Sequence, residues 1–296
     1  MIKYYLYKLI IKILRIMRLL PILPDKLFLQ MYYLVMMKED LDLRNPKTFN
    51  QKLQWLKLYN RKDIYTTMVD KYAVKKYVAE LIGEEYIIPT LGVWDHFDDI
   101  DFSSLPDQFV LKCTHDSGGL VIVRDKQTFD KKAAKKKIEN SLKNNYHYST
   151  REWPYKNVPP RIIAEQYMED ESGGLTDYKF FCFNGVADNV MIVADRSIKE
   201  PKFYHFSKDW RLLRYNRLCR KLPDGFTIPK PSEMDQMFEL AEKMSIDIPH
   251  VRIDFYLVNG QIYFGEYTFF NESGFETGFD DYSDNHLGSL IKLPIE

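Results

Sequence analysis

Apolar residues recur at helical spacing through the first third of the chain and gather into short strand-like runs afterwards. Residues 1–20, MIKYYLYKLIIKILRIMRLL, place Lys3, Lys8, Lys12, Arg15 and Arg18 within about half of a helical wheel, with Ile, Leu, Tyr and Met around the rest. The charges interrupt any apolar run long enough to span a bilayer. They are also interspersed rather than clustered, and no small-residue cleavage site follows, which argues against a secretory signal. Two readings remain open: a helix lying on an anionic membrane surface, and a helix packed on its own domain with a solvated basic face. Pro21 and Pro24 close the segment. Residues 27–37 predict a core helix. Asn45-Pro46-Lys47-Thr48 predicts a turn and cap before a helix carrying Phe49, Leu53, Leu56 and Leu58. A single amphipathic helix is expected over 66–82, with Val69, Tyr72, Ala73, Tyr77 and Leu81 on its apolar side, ending before Ile88-Pro89.

Strand patterns begin at 109–112 and 120–123, separated by the loop THDSGG. A Lys-rich helix follows at 128–143, whose lysines read as a solvated face. Further strands are expected at 161–168 and 178–183, with Asn184-Gly185 turning the chain into 190–193. A helix covers 232–245, and 251–257 and 261–268 form a last hairpin around Asn259-Gly260. Helices, a hairpin, a helix and then several antiparallel strands imply α+β rather than alternating βαβ units. Neither G-x-G-x-x-G nor G-x-x-x-x-G-K-[ST] occurs, so dinucleotide-binding and P-loop readings have no support.

Composition narrows the class. The 296 residues are 45% hydrophobic and 15% aromatic, which excludes a disordered chain and allows a large core, as about two domains or one domain with lobes. The three cysteines, Cys113, Cys182 and Cys219, lack the spacing of a zinc site or disulfide framework and favour a reducing compartment. The net charge of zero makes general nucleic-acid binding a poor fit. Charge is nevertheless uneven. Residues 196–221 hold nine Lys/Arg against Glu200 and Asp209, and 246–296 hold nine Asp/Glu against Arg252 and Lys292.

Three segments carry candidate chemistry. In FVLKCTHDSGGLVIVRD (109–125), Lys112 sits in an apolar strand beside a small-residue loop, Ser117-Gly118-Gly119, whose amides could approach an anion; the alternative is a hairpin turn with a snorkelling lysine. In 250–275, Arg252 and Asp254 share a strand face, and Glu266 and Thr268 share one on the next strand. A plain two-residue turn would pair Asp254 with Gly265. A three-residue loop or a bulge would pair Asp254 with Glu266, a carboxylate pair suited to Mg²⁺, and this second register is the expected one. In 162–185, Glu165 ends an apolar strand, and Asp177 and Lys179 follow at strand positions.

The order of these segments resembles the ATP-grasp superfamily. NPKTFNQKLQWLKLY, DKYAVKKYVAELIG, FVLKCTHDSGG, REWPYKN, IIAEQYM, DYKFFCFNG and VRIDFYLVNGQIYFGEYTF together resemble its TupA-like family of bacterial cell-surface polysaccharide synthesis. The resemblance implies two lobes with antiparallel sheets sandwiching ATP: an N-terminal helix at 1–24, a helical pre-grasp region at 25–108, a small lobe at 109–164 and a large lobe at 165–296. It implies that Lys112 and Lys71 hold the ATP phosphates under a loop containing His115, Ser117, Gly118 and Gly119. Glu165, Gln166, Tyr167 and Met168 would form the adenine hinge, with Glu169 or Glu171 at the ribose. Asp177 and Lys179 look like an Asp-x-Arg pair with lysine replacing arginine. Arg196 would face the transferred phosphate or the acceptor, and Arg252 would stabilise transition-state charge. Asp254, Glu266 and Thr268 would bind Mg²⁺. Relatives often have Glu-x-Asn where this chain has Glu266-Tyr267-Thr268, so Asn271 is a substitute ligand.

The implied activity is a cytoplasmic ATP-dependent carboxylate–amine ligase, peripheral at the inner face of the membrane if residues 1–20 lie on it, joining an amino acid or amine to an anionic, uronic-acid-containing glycan. Arg211, Arg214, Arg217 and Arg220, three apart, are either a glycan-attracting surface or a solvated face. Two rivals stay open: a glycosyltransferase using Asp99-Ile100-Asp101, and a non-catalytic ATP-binding scaffold. His115 is a candidate general base or a structural histidine. Trp153, Tyr155 and Tyr167 are candidate stacking residues or core.

Overall fold

The computed structural model describes residues 2–16, 20–170, 174–194 and 201–294. The order begins with helices α1 (Ile2–Ile16), α2 (Asp25–Met37), α3 (Phe49–Tyr59), α4 (Ile64–Val69) and α5 (Ala73–Ile82). Strands β1 (Thr90–Trp94), β2 (Phe109–Cys113) and β3 (Leu120–Val123) follow, then helices α6 (Lys131–Leu142) and α7 (His147–Thr150) and strand β4 (Ile162–Gln166). The second half holds β5 (Asp177–Phe183), β6 (Val186–Ala194), β7 (Lys202–Ser207), β8 (Leu212–Leu213), α8 (Arg217–Lys221), α9 (Met234–Met244), β9 (His250–Val258), β10 (Gln261–Thr268) and α10 (Asp281–Leu290). The expected α+β class holds. Two antiparallel sheets form, one in the order β1-β4-β2-β3 and one in the order β10-β9-β5-β6-β7-β8.

Each sheet buries one face, as strand alternation dictates. In β2, Phe109, Leu111 and Cys113 join Ala134 and Ile138 of α6 in the core of the small lobe, leaving Val110 and Lys112 on the other face. In the large sheet, Ile253 and Phe255 pack with Met237, Phe238 and Ala241 of α9. The opposite face runs from aromatic to charged. Phe49 of α3 covers the end holding Phe183 and His250, and Asp177, Lys179 and Asp254 lie at the uncovered end. That polar end meets the small lobe across a cleft.

Three expectations change. The single helix over 66–82 is broken, because the carboxylate of Asp70 accepts from the backbone N–H groups of Tyr72 at 2.9 Å and Ala73 at 3.2 Å and so starts a new helix. Tyr72, expected on the apolar side, is exposed. The lobe boundaries also move: β1 pairs with β4, so the small sheet begins before residue 109, and a boundary at 164/165 would cut β4. Residues of α3 to α5 from Phe49 to Val78 belong to the core of the large sheet rather than to a separate helical unit.

The glycines of the small-lobe loop differ in what they permit. A Cβ on Gly119 would lie 2.7 Å from both Cys113 Cβ and Ser141 Oγ, whereas one on Gly118 meets nothing within 4 Å. Gly119→Ala is therefore expected to destabilise the fold by roughly 1–3 kcal/mol. Gly118→Ala should stay within about 0.5 kcal/mol of the parent. Urea denaturation of the two variants side by side measures the difference.

Candidate active site

A cluster of ammonium groups gathers around one carboxylate of the small sheet. Lys112 on β2 and Glu165 on β4 face the cleft, and Lys112 Nζ lies 2.5 Å from Glu165 Oε2. Lys75 of α5 lies 2.5 Å from Glu165 Oε1 and also donates to the carbonyl of Ile88 at 2.6 Å. Burial opposes ionisation of Glu165, but the two lysines outweigh it and hold the carboxyl at about 2. Lys71, displayed by the helix break at Asp70, donates through Nζ to the carbonyl of Asp116, and burial depresses its ammonium against the pull of Glu266 and Asp116. Asp70 is fixed in turn by Arg161, whose Nη2 lies 2.7 Å from its second oxygen. Lys75 was not among the expected site residues. Its spacing of four from Lys71 within the helix expected over 66–82 is the trace it leaves in the sequence.

The loop between β2 and β3 is organised by Asp116. Its carboxylate accepts from the Gly119 amide at 3.1 Å and from Ser141 Oγ, and the Gly119 carbonyl accepts from Cys113 N at 2.7 Å. The Gly119 amide is thus committed to Asp116, and Ser117 and Gly118 remain to meet an anion where they line the cleft. His115, expected in the cofactor site, is turned away from it: the ring is buried, with Nε2 3.1 Å from the Asn144 carbonyl oxygen. The structural reading of this histidine is the one that fits.

The large sheet supplies the opposing charges. Asn259 and Gly260 form a two-residue turn with φ of 51° and 79°, pairing Val258 with Gln261. A bulge at Gly265 then brings Glu266 opposite Asp254 and Thr268 opposite Arg252. The expected register is therefore reached by a bulge, not by a longer loop. Phe264, opposite Phe255, stays on the core face. Arg252 Nε and Nη2 donate to the two oxygens of Asp254 at 2.7 and 2.8 Å, Nη1 donates to Asn271 Oδ1 at 2.6 Å, and Nη2 reaches Thr268 Oγ1 at 3.0 Å. Lys179, paired with Asp254 across β5 and β9, donates to its Oδ2 and lies 3.9 Å from Asp177. Burial opposes the charge on Asp254, but Arg252 and Lys179 outweigh it and keep the carboxyl below its usual range.

This network bears on the expected metal ligands. Asp254, Glu266, Thr268 and Asn271 offer hard oxygen donors of the kind Mg²⁺ prefers. Glu266 is the open one, with 43% of its side chain exposed and only long contacts of 3.4 Å from Arg252 Nη2 and Thr268 Oγ1 to its Oε1. Asp254 would have to exchange its Lys179 bond for an ion. The donor types suit Mg²⁺, for which Glu266 would be the first contact, although no group of three or more His, Cys, Asp or Glu placed to hold a metal ion stands among the described residues.

Three cavities form a line. A pocket of about 430 Å³ between the small sheet and the residues after β4 is lined by Val110, Leu120, Ile122, Tyr167, Met168 and Tyr256. Gln166 borders it, although its amide donates to the Pro89 carbonyl at 3.0 Å. Glu169 accepts from Tyr167 Oη at 2.9 Å. Lys112 and Glu165 join this pocket to a cleft of about 230 Å³ that contains Lys71, Ser117, Asp177, Lys179 and Glu266. Beyond Glu266 and Ser117 lies a third cavity of about 310 Å³. Glu171 and Arg196 lie outside the described residues.

Other candidates fall elsewhere. Asp99 and Asp101 are exposed on the small lobe, and Asp101 is engaged by Ser103 N at 2.9 Å and Ser103 Oγ at 2.6 Å. Of the spaced arginines, Arg214 donates to the carbonyls of Cys219 and Leu222 and Arg220 pairs with Asp280, while Arg211 and Arg217 are exposed. Trp153 packs beside Tyr65, and Tyr155 borders the third cavity.

Solved structures with a related chain course are distant. The D-alanine–D-alanine ligase of Bacillus anthracis complexed with ATP is 15% identical, with a TM-score of 0.39 over 68% of this chain and 53% of that one. The Helicobacter pylori D-alanine–D-alanine ligase is 14% identical, with a TM-score of 0.46 over 84% and 68%. The D-cycloserine synthetase DcsG is 16% identical, with a TM-score of 0.41 over 76% and 69%. The chain thus spans about half the length of the first of these ligases. No curated protein matches the sequence. The family match is of another order: the profile described as TupA-like ATPgrasp runs over residues 51–292, through every strand of both sheets and every described residue of the cleft. The chain belongs to the TupA-like ATP-grasp family.

Proposed function

We propose that the protein is an ATP-dependent ligase that activates a carboxylate as an acyl phosphate and joins it to an amine, with a uronic-acid-containing cell-surface glycan as the carboxylate and an amino acid or other amine as its partner. The observation that carries this reading is the line of three joined cavities, apolar at one end, gathering Lys71, Lys75, Lys112 and Lys179 in the middle and bordered by Glu266 and Arg252 at the other. An adenine fits the first in size and polarity. A triphosphate is the natural occupant of the second, where it would replace Glu165 as the partner of Lys112 and bring an anion to Lys71 and the Ser117–Gly118 backbone.

The chemistry needs little covalent work from the protein. A carboxylate oxygen attacks the terminal phosphorus, its new O–P bond forms as the bridging O–P bond breaks, and ADP departs with the bonding pair. The amine nitrogen then attacks the acyl carbon, loses a proton, and phosphate leaves. Lys71 and Lys112 neutralise the polyphosphate. Arg252, held rigid by Asp254, Asn271 and Thr268, presents fixed positive charge beside the cleft. Mg²⁺ bound at Glu266 and Asp254 would screen charge between the terminal phosphates. Against the glycosyltransferase rival, Asp99 and Asp101 are exposed away from the cleft, and Asp101 is engaged by Ser103 in its own turn.

Helix α1 suits a peripheral place at an anionic membrane. Ile2, Leu6, Leu9 and Ile13 are exposed along one stripe, Lys3, Lys8 and Lys12 lie exposed beside it, and no helix among the described residues is long and apolar enough to cross a bilayer.

Incubation with ATP, Mg²⁺, uronic-acid oligosaccharides and a panel of amines should release ADP and yield a product heavier by one amide linkage, detected by mass spectrometry. Lys112→Ala should weaken ATP binding by about tenfold or more. Glu266→Gln should bind ATP but require more Mg²⁺ for turnover. ATP affinity unchanged in Lys112→Ala would contradict the site. Vesicles containing phosphatidylserine should retain the parent protein in a flotation assay and release it when Lys3, Lys8 and Lys12 are changed to Glu; equal retention of both would remove the membrane reading.

A further inference from the structure

The third cavity opens on the far side of Glu266 from the phosphate cleft and shares Ser117 and Glu266 with it. Its walls combine aromatic rings with carboxylates. Tyr32, Tyr146, Tyr155 and Phe270 supply the rings, and the Tyr146 and Tyr155 rings meet edge to face at 5.0 Å between centroids. Glu152, Glu266 and Glu272 supply the acids.

Glu152 is the unusual member. It is 4% exposed, and its Oε1 accepts from Ser273 Oγ at 2.6 Å and Thr150 Oγ1 at 3.1 Å. Its second oxygen takes no hydrogen-bond partner among the described residues, and the side chain borders the cavity. The nearby ammonium of Lys57 does not neutralise it by contact. Lys57 is fully buried behind the wall, donating to the carbonyls of Thr150 at 2.8 Å and Ser273 at 2.7 Å and lying 4.8 Å from the Phe275 ring centroid. Burial pushes the Glu152 carboxyl above its usual range despite Lys57, as expected of a buried acid that still lacks a full counter-charge.

The cation in the cavity wall, Arg252, is already committed to Asp254, Asn271 and Thr268. A buried carboxylate among electron-rich rings recognises an ammonium, and the described lining sets three carboxylates, Glu152, Glu266 and Glu272, against the single committed guanidinium of Arg252, a balance that disfavours a second carboxylate. Resting on the ligase reading above, we infer that this cavity seats the amine substrate as a primary ammonium on Glu152, beside the contacting Tyr146 and Tyr155 rings, and that the amine bears no carboxylate beside its nitrogen. Amino sugars and simple amines meet this requirement. Free α-amino acids do not, because their carboxylate would face Glu152, Glu266 and Glu272. The place suits the role, since an amine held here lies next to Glu266, where the terminal phosphate and the activated carbonyl would sit.

The test compares isosteres. Alaninamide, glucosamine, alanine and uncharged lactamide are titrated into the full-length protein and followed by calorimetry and ligand-observed NMR, with ATP titrated separately. Alaninamide and glucosamine should bind, with alanine and lactamide weaker by about tenfold or more. Glu152→Gln should lose about tenfold or more of the ammonium affinity and leave ATP affinity unchanged. Tyr146→Leu should lose a smaller factor, and it keeps the test decisive if the Glu152 variant fails to fold. Alanine binding as tightly as alaninamide, or no amine binding to the parent protein, would overturn the assignment. Unchanged amine affinity in the folded variants would overturn it equally. If amines bind through Glu152 while ATP does not bind at all, the ligase reading falls and the ammonium site stands.

Discussion

Concentrating like charge in a narrow cleft is the constraint around which this protein is arranged. Lys71, Lys75 and Lys112 converge from a helix break and a strand, and two such charges at about 4 Å would repel by about 4 kcal/mol in a setting of intermediate dielectric. Glu165 makes the arrangement tolerable, standing 2.5 Å from both Lys75 and Lys112. Each part depends on backbone placement. The antiparallel pairing of β2 with β4 puts Lys112 and Glu165 on one face, and the Asp70 cap, itself tied to Arg161, turns Lys71 toward the loop. Glu165 is the anion shared by Lys75 and Lys112, and a polyphosphate arriving there would compete with it.

The large sheet solves the complementary problem. Asp254 is buried, and a lone buried carboxylate would be costly. Arg252 two residues before it and Lys179 across the strand pair remove that cost and leave a rigid charged face. The bulge at Gly265 adds Glu266 to the face without disturbing the apolar packing of Phe264 and Phe255 on the other side. One extra residue in β10 thereby separates the core of the lobe from its chemistry. Three environments result along one path: an apolar seat, a cleft of paired lysines and carboxylates, and an acidic aromatic chamber.

Much of this was legible before any coordinates. The Asn184-Gly185 and Asn259-Gly260 turns, the alternation of β2 and β9, and the α+β order follow from local chemistry that tertiary contacts do not override. The pairing of Asp254 with Glu266 is the expected register, because it sets two carboxylates together on one face as a magnesium site would need. What escaped reading depended on partners distant in sequence. The cap that splits α4 from α5 shows as an ordinary aspartate inside an apolar period. The short strand β1, whose pairing with β4 is irregular next to Gly92, has no strong pattern. Lys75 gains its role only when Glu165, ninety residues away, folds against it. His115 looked available because its loop is polar, but the carbonyl of Asn144 at the end of a helix takes it inward.

The account stands on one nucleotide lying between the two sheets. Hydrogen–deuterium exchange with and without Mg²⁺–ATP tests this directly. Slower exchange should appear together in three separated stretches: the β2–β3 hairpin around 110–121, the end of β4 and its extension at 163–168, and the β9–β10 segment around 252–268. Protection confined to one lobe, or none in any of the three, would contradict it.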